Sequence, residues 1–227
     1  MKRLLTLGCS LSDFPDGGWP YTVGEYFDKH DHFAFGGGGN QQLLDIIDEY
    51  LIYNKVKDLT IVYQLTGMKR AGGLYMEEYD NEWLVQKSNV GEKYSMKWQG
   101  YFGDQNMYWS DNYKVVKESI RNPIKMSTRT IVKLCLLSDA GANVYTFRGW
   151  TGVMSQHTFD GKSQFTAEEH WQKAKVLLDK HKVKYVDIPI VDWCILNDKE
   201  LPDGFHPSGE ASKDFANKML IPLIKEN

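Results

Sequence analysis

The chain has 227 residues, with 27 Lys and Arg against 30 Asp and Glu and a formal charge of −3 at pH 7. That length can bury a sizeable core, and a slightly acidic balance with no basic stripe excludes a surface built to neutralise phosphates, so nucleic acid is not an expected partner. No apolar run approaches the roughly eighteen residues that suggest a membrane span, and Cys9, Cys135 and Cys194, odd in number and far apart, argue against a disulfide scaffold.

The opening MKRLLTLGCS is too short in its apolar stretch for a secretory leader, so residue 1 is taken as the mature start and no secretion is expected. RLLTLG (3–8) is a short apolar run ending in glycine, the pattern of a buried strand entering a turn. The segment from Tyr21 to Lys29 is expected to be helical and HFAF (32–35) to be a second strand, after which Gly36 to Gly39 stop regular structure. From Asn40, a natural N-cap, apolar Leu43, Leu44, Ile46, Ile47, Tyr50 and Leu51 recur as on a helix with one buried face. TIVYQL (60–65) is a buried strand.

Residues 68–110 are rich in Gly, Tyr, Trp, Glu and Lys without sustained periodicity, and are expected to form an irregular insertion, part lid and part binding surface. Its aromatic residues suit either a carbohydrate-binding face or the packing of a small subdomain. A long helix is expected over about 111–139, interrupted near Pro123 and ended by Asp139-Ala140-Gly141. NVYTFRG (143–149) is a strand, and a loop over 149–164 carries Trp150, Ser155 and His157. Thr166 to Lys182 is helical, with Thr166 and Glu169 at capping-box spacing. VKYVDIP (183–189) is a further strand, and Ser208 to Lys225 the last helix.

Strands alternating with helices predict a single α/β domain over 1–227, three-layered and flavodoxin-like, with a central parallel sheet. In such sheets ligands sit at the carboxyl ends of the strands. Gly8-Cys9-Ser10, Gly36 to Asn40 and Gln64 to Gly67 each follow a strand, and Asp203 to His206 precede the last helix, so four loops can converge on one crevice.

A serine hydroxyl becomes a useful nucleophile when a base removes its proton and a third group fixes that base. Ser10, His206 and Asp203 supply those three functions, Asp203 lying one turn before His206. A developing oxyanion needs donors, and the Ser10 N–H, a glycine N–H from Gly36 to Gly39 and the Asn40 side chain are available. Gly8-Cys9-Ser10 is also what a strand-to-loop turn looks like, with Ser10 or Ser12 as a cap. The glycine run could cradle a phosphate at a helix N-terminus, although it lacks a P-loop lysine. Cys9, Cys135 and Cys194 are expected to be packed. His30, Asp31 and His32 form a compact cluster, read here as solvated; no second cluster with ligand spacing accompanies it, and neither metal nor cofactor is expected.

The two end blocks together resemble the SGNH (GDSL-like) hydrolases, in which a serine sits just after the first strand and a late Asp-x-x-His block completes the site. The first block here is Gly8-Cys9-Ser10-Leu11-Ser12, with cysteine in place of the family's aspartate, and the last is Asp203-Gly204-Phe205-His206-Pro207-Ser208. The resemblance implies an ester hydrolase with Ser10, Asp203 and His206 as catalytic residues and an oxyanion hole from Ser10, Gly37, Asn40 and Thr66. Thr66 stands where the family has a third-block asparagine. Gln64, Arg70 and Trp150 are the expected substrate contacts, and acetyl groups on sugars the expected substrate class. The GCS start with Q-L-T-x-x-x-R is similar to divergent members found in phage genomes, which implies a cytoplasmic or virion-associated protein. The missing asparagine keeps open a second expectation, a weakened SGNH-like carbohydrate-binding or structural module.

Overall fold

The computed structural model describes residues 2–12, 17–35, 39–66, 70–74, 85–87, 97–102, 123–149, 162–204 and 206–226. Its strands are β1 (Arg3–Cys9), β2 (Lys29–Phe35), β3 (Leu59–Leu65), β4 (Arg70–Leu74), β5 (Val85–Lys87), β6 (Lys97–Phe102), β7 (Asn143–Arg148) and β8 (Lys184–Val186). The main sheet is parallel throughout, in the order β2-β1-β3-β7-β8. β4, β6 and β5 form a separate antiparallel sheet, so strands occur inside the stretch that the sequence marks only as irregular.

The helices are α1 (Trp19–Gly24), α2 (Asn40–Tyr53), α3 (Pro123–Asp139), α4 (Lys162–Lys180), α5 (Ile190–Leu196), α6 (Gly209–Phe215) and α7 (Ile221–Lys225), the last two joined by a π-helical turn (Ala216–Leu220). Alternate residues of a strand point to opposite faces, and the core divides accordingly. Leu5, Leu7, Ile61, Tyr63 and Val144 pack with Leu43, Ile47, Leu134, Trp171 and Leu178 on one face. Leu4, Val62, Tyr145 and Phe147 pack with Trp19, Val23, Ile190, Phe215 and Leu220 on the other. Helices on both faces make three layers and bury all seven residues of β3, which explains why that strand is apolar without strict alternation.

The sheet order reverses between β1 and β3, so the carboxyl ends of those strands flank the crevice where doubly wound sheets place their ligands. The structure departs from the sequence expectation in several places. The helix expected over Tyr21 to Lys29 ends at Gly24, and Lys29 already begins β2, ahead of the start expected at residue 32. α4 begins at Lys162, which puts Thr166 inside the helix and not at its cap. α5 occupies a stretch after Pro189 to which the sequence reading assigns no element. The last helix is not uniform, because Pro222 has no N–H to give to the preceding turn; the Ile221 N–H reaches five residues back to the Ala216 carbonyl. Residues 111–122 of the expected long helix lie outside the described residues. Among the described residues no helix is long and apolar enough to cross a membrane.

Candidate active site

β1 ends at Cys9, and the chain turns at once: the Ser12 N–H donates to the Cys9 carbonyl at 2.8 Å, bending Ser10 and Leu11 over the sheet's edge. Leu11 is fully buried and anchors the turn, while Ser10 remains partly exposed. On the far side of the sequence, the loop before α6 is fixed at several points. The Gly204 N–H donates to the Leu201 carbonyl at 2.8 Å, with Gly204 at a φ of 77° that favours glycine. The Ser208 N–H donates to the Glu200 carbonyl at 3.0 Å, and the Ser208 hydroxyl accepts from the Ala211 N–H at 3.2 Å, capping α6.

Within that loop Asp203 grips His206 twice. One carboxylate oxygen accepts from the His206 backbone N–H at 2.7 Å, and the other lies 2.5 Å from the ring Nδ1. The ring's Nε2 is 2.9 Å from the Ser10 hydroxyl. A carboxylate only accepts, so it selects the tautomer with hydrogen on Nδ1 and leaves Nε2 as the acceptor for the Ser10 O–H. The three groups form a directed chain from serine to imidazole to carboxylate.

Asn40 and Thr66 meet at the ends of α2 and β3. The Thr66 N–H donates to Asn40 Oδ1 at 3.0 Å, and Asn40 Nδ2 donates to the Thr66 carbonyl at 3.3 Å. The Tyr63 phenol also donates to the Asn40 carbonyl at 3.3 Å, and burial holds its pKa well above the ordinary value. Both Asn40 and Thr66 are buried, and the Thr66 hydroxyl oxygen has no hydrogen-bond partner among the described residues. Gly37 and Trp150 lie outside the described residues, as do Ser155, His157 and the side chain of Arg70.

Two sequence expectations are corrected. Gln64, expected to contact substrate, is fully buried: it shares the sheet face of Val62 and spends its carboxamide on Cys9 and Ser12. The His30–Asp31–His32 cluster is not a solvated patch. The Thr6 hydroxyl lies 2.7 Å from both His30 Nε2 and His32 Nδ1, and His32 Nε2 donates to the Ser12 carbonyl at 3.0 Å. Burial, and then the neighbouring His30, push the His32 pKa down to about 4. Among the described residues no group of three or more His, Cys, Asp or Glu could hold a metal ion. Cys9, Cys135 and Cys194 are all buried, as expected. Sequence reasoning missed the roles of Ser12, Trp19 and His32 around the Ser10 turn, and no spacing signal marks residues that meet only through tertiary packing.

No family model matches the chain, and no curated protein matches it by sequence. Solved structures do match over nearly the whole length. Crystallised TesA is 13% identical with a TM-score of 0.55, covering 99% of this chain and 98% of its own. The acetylxylan esterase Axe2 from Geobacillus stearothermophilus is also 13% identical with a TM-score of 0.55, covering 98% and 94%. The esterase EstA from Pseudoalteromonas sp., solved with monoethylphosphonate as inhibitor, is 13% identical with a TM-score of 0.52, covering 100% and 98%. A member of the lipolytic G-D-S-L family from Veillonella parvula is similar at a TM-score of 0.50. The fold of this chain is therefore that of the SGNH (GDSL) hydrolases.

Proposed function

We propose that the protein is a serine esterase that works through an acyl-enzyme on Ser10. The observation that carries this reading is the 2.9 Å approach of His206 Nε2 to the Ser10 hydroxyl with Asp203 behind the ring. His206 takes the Ser10 proton as Oγ attacks the ester carbonyl, then hands it to the departing alcohol oxygen; Asp203 holds the ring and stabilises its charged form. Water completes the cycle: it gives a proton to His206 as its oxygen bonds the acyl carbon, and His206 passes that proton to Ser10 Oγ as the acyl–oxygen bond breaks and the carboxylic acid leaves. The Ser10 N–H, Gly37, Asn40 and Thr66 are the donors we assign to the oxyanion. The buried Thr66 hydroxyl, without a hydrogen-bond partner among the described residues, supports its inclusion, since it gives up no bond to any of them when it donates.

For substrate we propose small acyl esters, with acetyl groups on carbohydrate as the preferred class. The aromatic-rich 68–110 stretch and the fold shared with an acetylxylan esterase support that choice. The test is covalent labelling with a fluorophosphonate, followed by hydrolysis of p-nitrophenyl acetate and of acetylated xylan. Labelling of the native chain and none of Ser10→Ala is expected. Undiminished labelling of Ser10→Ala overturns the nucleophile assignment, and a native chain inert to the probe and to both esters overturns the esterase reading.

A further inference from the structure

Ser12 occupies a position out of proportion to its size. Its N–H donates to the Cys9 carbonyl at 2.8 Å and its own carbonyl accepts from His32 Nε2 at 3.0 Å. Its hydroxyl lies 2.5 Å from Gln64 Oε1 and 3.0 Å from Trp19 Nε1. The direction of every bond can be deduced. A backbone N–H and an indole N–H can only donate. The Cys9 N–H faces the Gln64 side chain at 3.2 Å, so the atom it meets must be the carbonyl oxygen Oε1. The Ser12 hydroxyl must then donate to Oε1 and accept from Trp19. The Gln64 amide completes the closure on Cys9 Sγ at 3.3 Å.

Ser10 and Leu11 are thus held between two residues, Cys9 and Ser12, that are both tied to the Gln64 carboxamide. Gln64, Ser12 and Trp19 are fully buried, so the network lies in a low-dielectric interior, where unpaired groups are costly and paired ones rigid. Space around it is equally committed. A Cβ at Gly8 would meet the Ser12 hydroxyl oxygen at 1.9 Å and Gln64 Oε1 at 2.7 Å, and a Cβ at Gly149 would meet Gln64 Nε2 at 2.4 Å. Two glycines on different strands' ends leave room for this one carboxamide.

We infer that Gln64 and Ser12 are positioning residues, which set the Ser10 hydroxyl at its 2.9 Å approach to His206 by clamping both sides of the turn that bears it. The inference rests on the esterase reading of Ser10. Neither residue touches substrate, and their effect passes through the backbone of the turn. A displacement of the nucleophile by about 1 Å can cost on the order of 100-fold in rate, so loss of the clamp should appear in turnover and acylation before it appears in binding.

The experiment compares Ser12→Ala and Gln64→Met with Leu220→Ala, a core variant on the same face of the sheet that makes none of the clamp's hydrogen bonds. Each is measured for thermal midpoint, for the rate of fluorophosphonate labelling and for kcat and KM on p-nitrophenyl acetate. The proposal expects Ser12→Ala and Gln64→Met to lower kcat and the labelling rate by about 10- to 100-fold with KM nearly unchanged. Leu220→Ala should lose stability while keeping its kcat. Equal kcat in all three folded variants overturns the clamp and leaves the esterase reading intact. Full activity in Ser10→Ala removes the reading on which the clamp depends. Should Gln64→Met fail to fold, Ser12→Ala, which deletes one hydroxyl, decides the matter.

Discussion

Ser10 and His206 are 196 positions apart in the chain, and the serine hydroxyl lies 2.9 Å from the imidazole Nε2. The contact joins the carboxyl end of β1 to the loop that leads into α6. If the imidazole is the base, His206→Ala should lower kcat/KM for p-nitrophenyl acetate by about 10⁴-fold or more, with little change in thermal midpoint because the side chain is partly exposed. Retention of activity within tenfold would refute the assignment.

Asp203→Asn separates orientation from charge. The asparagine oxygen can still accept from the His206 N–H, but its NH2 would face Nδ1 and favour the wrong tautomer. A loss of about 10²- to 10⁴-fold in kcat with near-native stability is expected. The measurement is steady-state hydrolysis alongside thermal unfolding, and native kcat in the variant would show that the carboxylate does not govern the ring.

Asn40 joins the start of α2 to the end of β3 through both atoms of its carboxamide. Asn40→Ala strands a buried Thr66 N–H and should destabilise the fold by about 1–3 kcal/mol. Asn40→Asp keeps the acceptor for that N–H and loses the donor, so it should recover part of the stability. Chemical denaturation of the two variants tests the ranking, which fails if the alanine form is the more stable.

Gly8→Ala drives a methyl into the Ser12 hydroxyl and the Gln64 carboxamide. Overpacking of this kind costs about 1–3 kcal/mol, and here it also pushes against the turn that carries Ser10. Both the unfolding midpoint and the fluorophosphonate labelling rate should fall. A variant with native stability would mean that the turn accommodates the methyl freely.

His32 gives the fold a pH dependence whose sign follows from its pKa. An unfolded imidazole takes up a proton near 6.5, whereas in the fold burial and His30 hold the His32 pKa near 4. Between those values the unfolded state binds more protons, so stability should fall as pH is lowered from about 6.5 to about 4 and the loss should level off below. The scale is on the order of 3 kcal/mol. Burial lowers the His30 pKa as well, against the opposing charge of Asp31, and adds in the same direction. Urea unfolding across that range should show a shallower slope in His32→Gln, and equal slopes would exclude the imidazole as the source.

Much of the architecture was legible in sequence because it is encoded locally. Buried strands announce themselves as short apolar runs, α2 as an apolar stripe of period 3.6, and Asp203 and His206 sit three positions apart, so a single turn suffices to join them. Ser10 could be singled out because a polar residue directly after a buried strand must emerge at the sheet's carboxyl edge. Gln64 was misread for a related reason: its position at the end of β3 suggested the crevice, yet strand alternation turns it to the face of Val62, under α1 and α6. His30 and His32 looked solvated because nothing in a run of polar residues shows that Thr6 of the neighbouring strand lies opposite.

By itself, then, the amino-acid order determined the parallel α/β class, the positions of the main strands and the identity of the three groups that could form a proton relay. Only the folded chain decided that Ser10 meets His206, that Asn40 closes on Thr66, and that Gln64 faces inward to hold the serine's turn. The physical reason is range. Hydrophobic periodicity and turn chemistry act over a few residues, whereas these contacts join strands and loops brought together by sheet order, and a hydrogen bond across 196 positions leaves no trace in either segment alone.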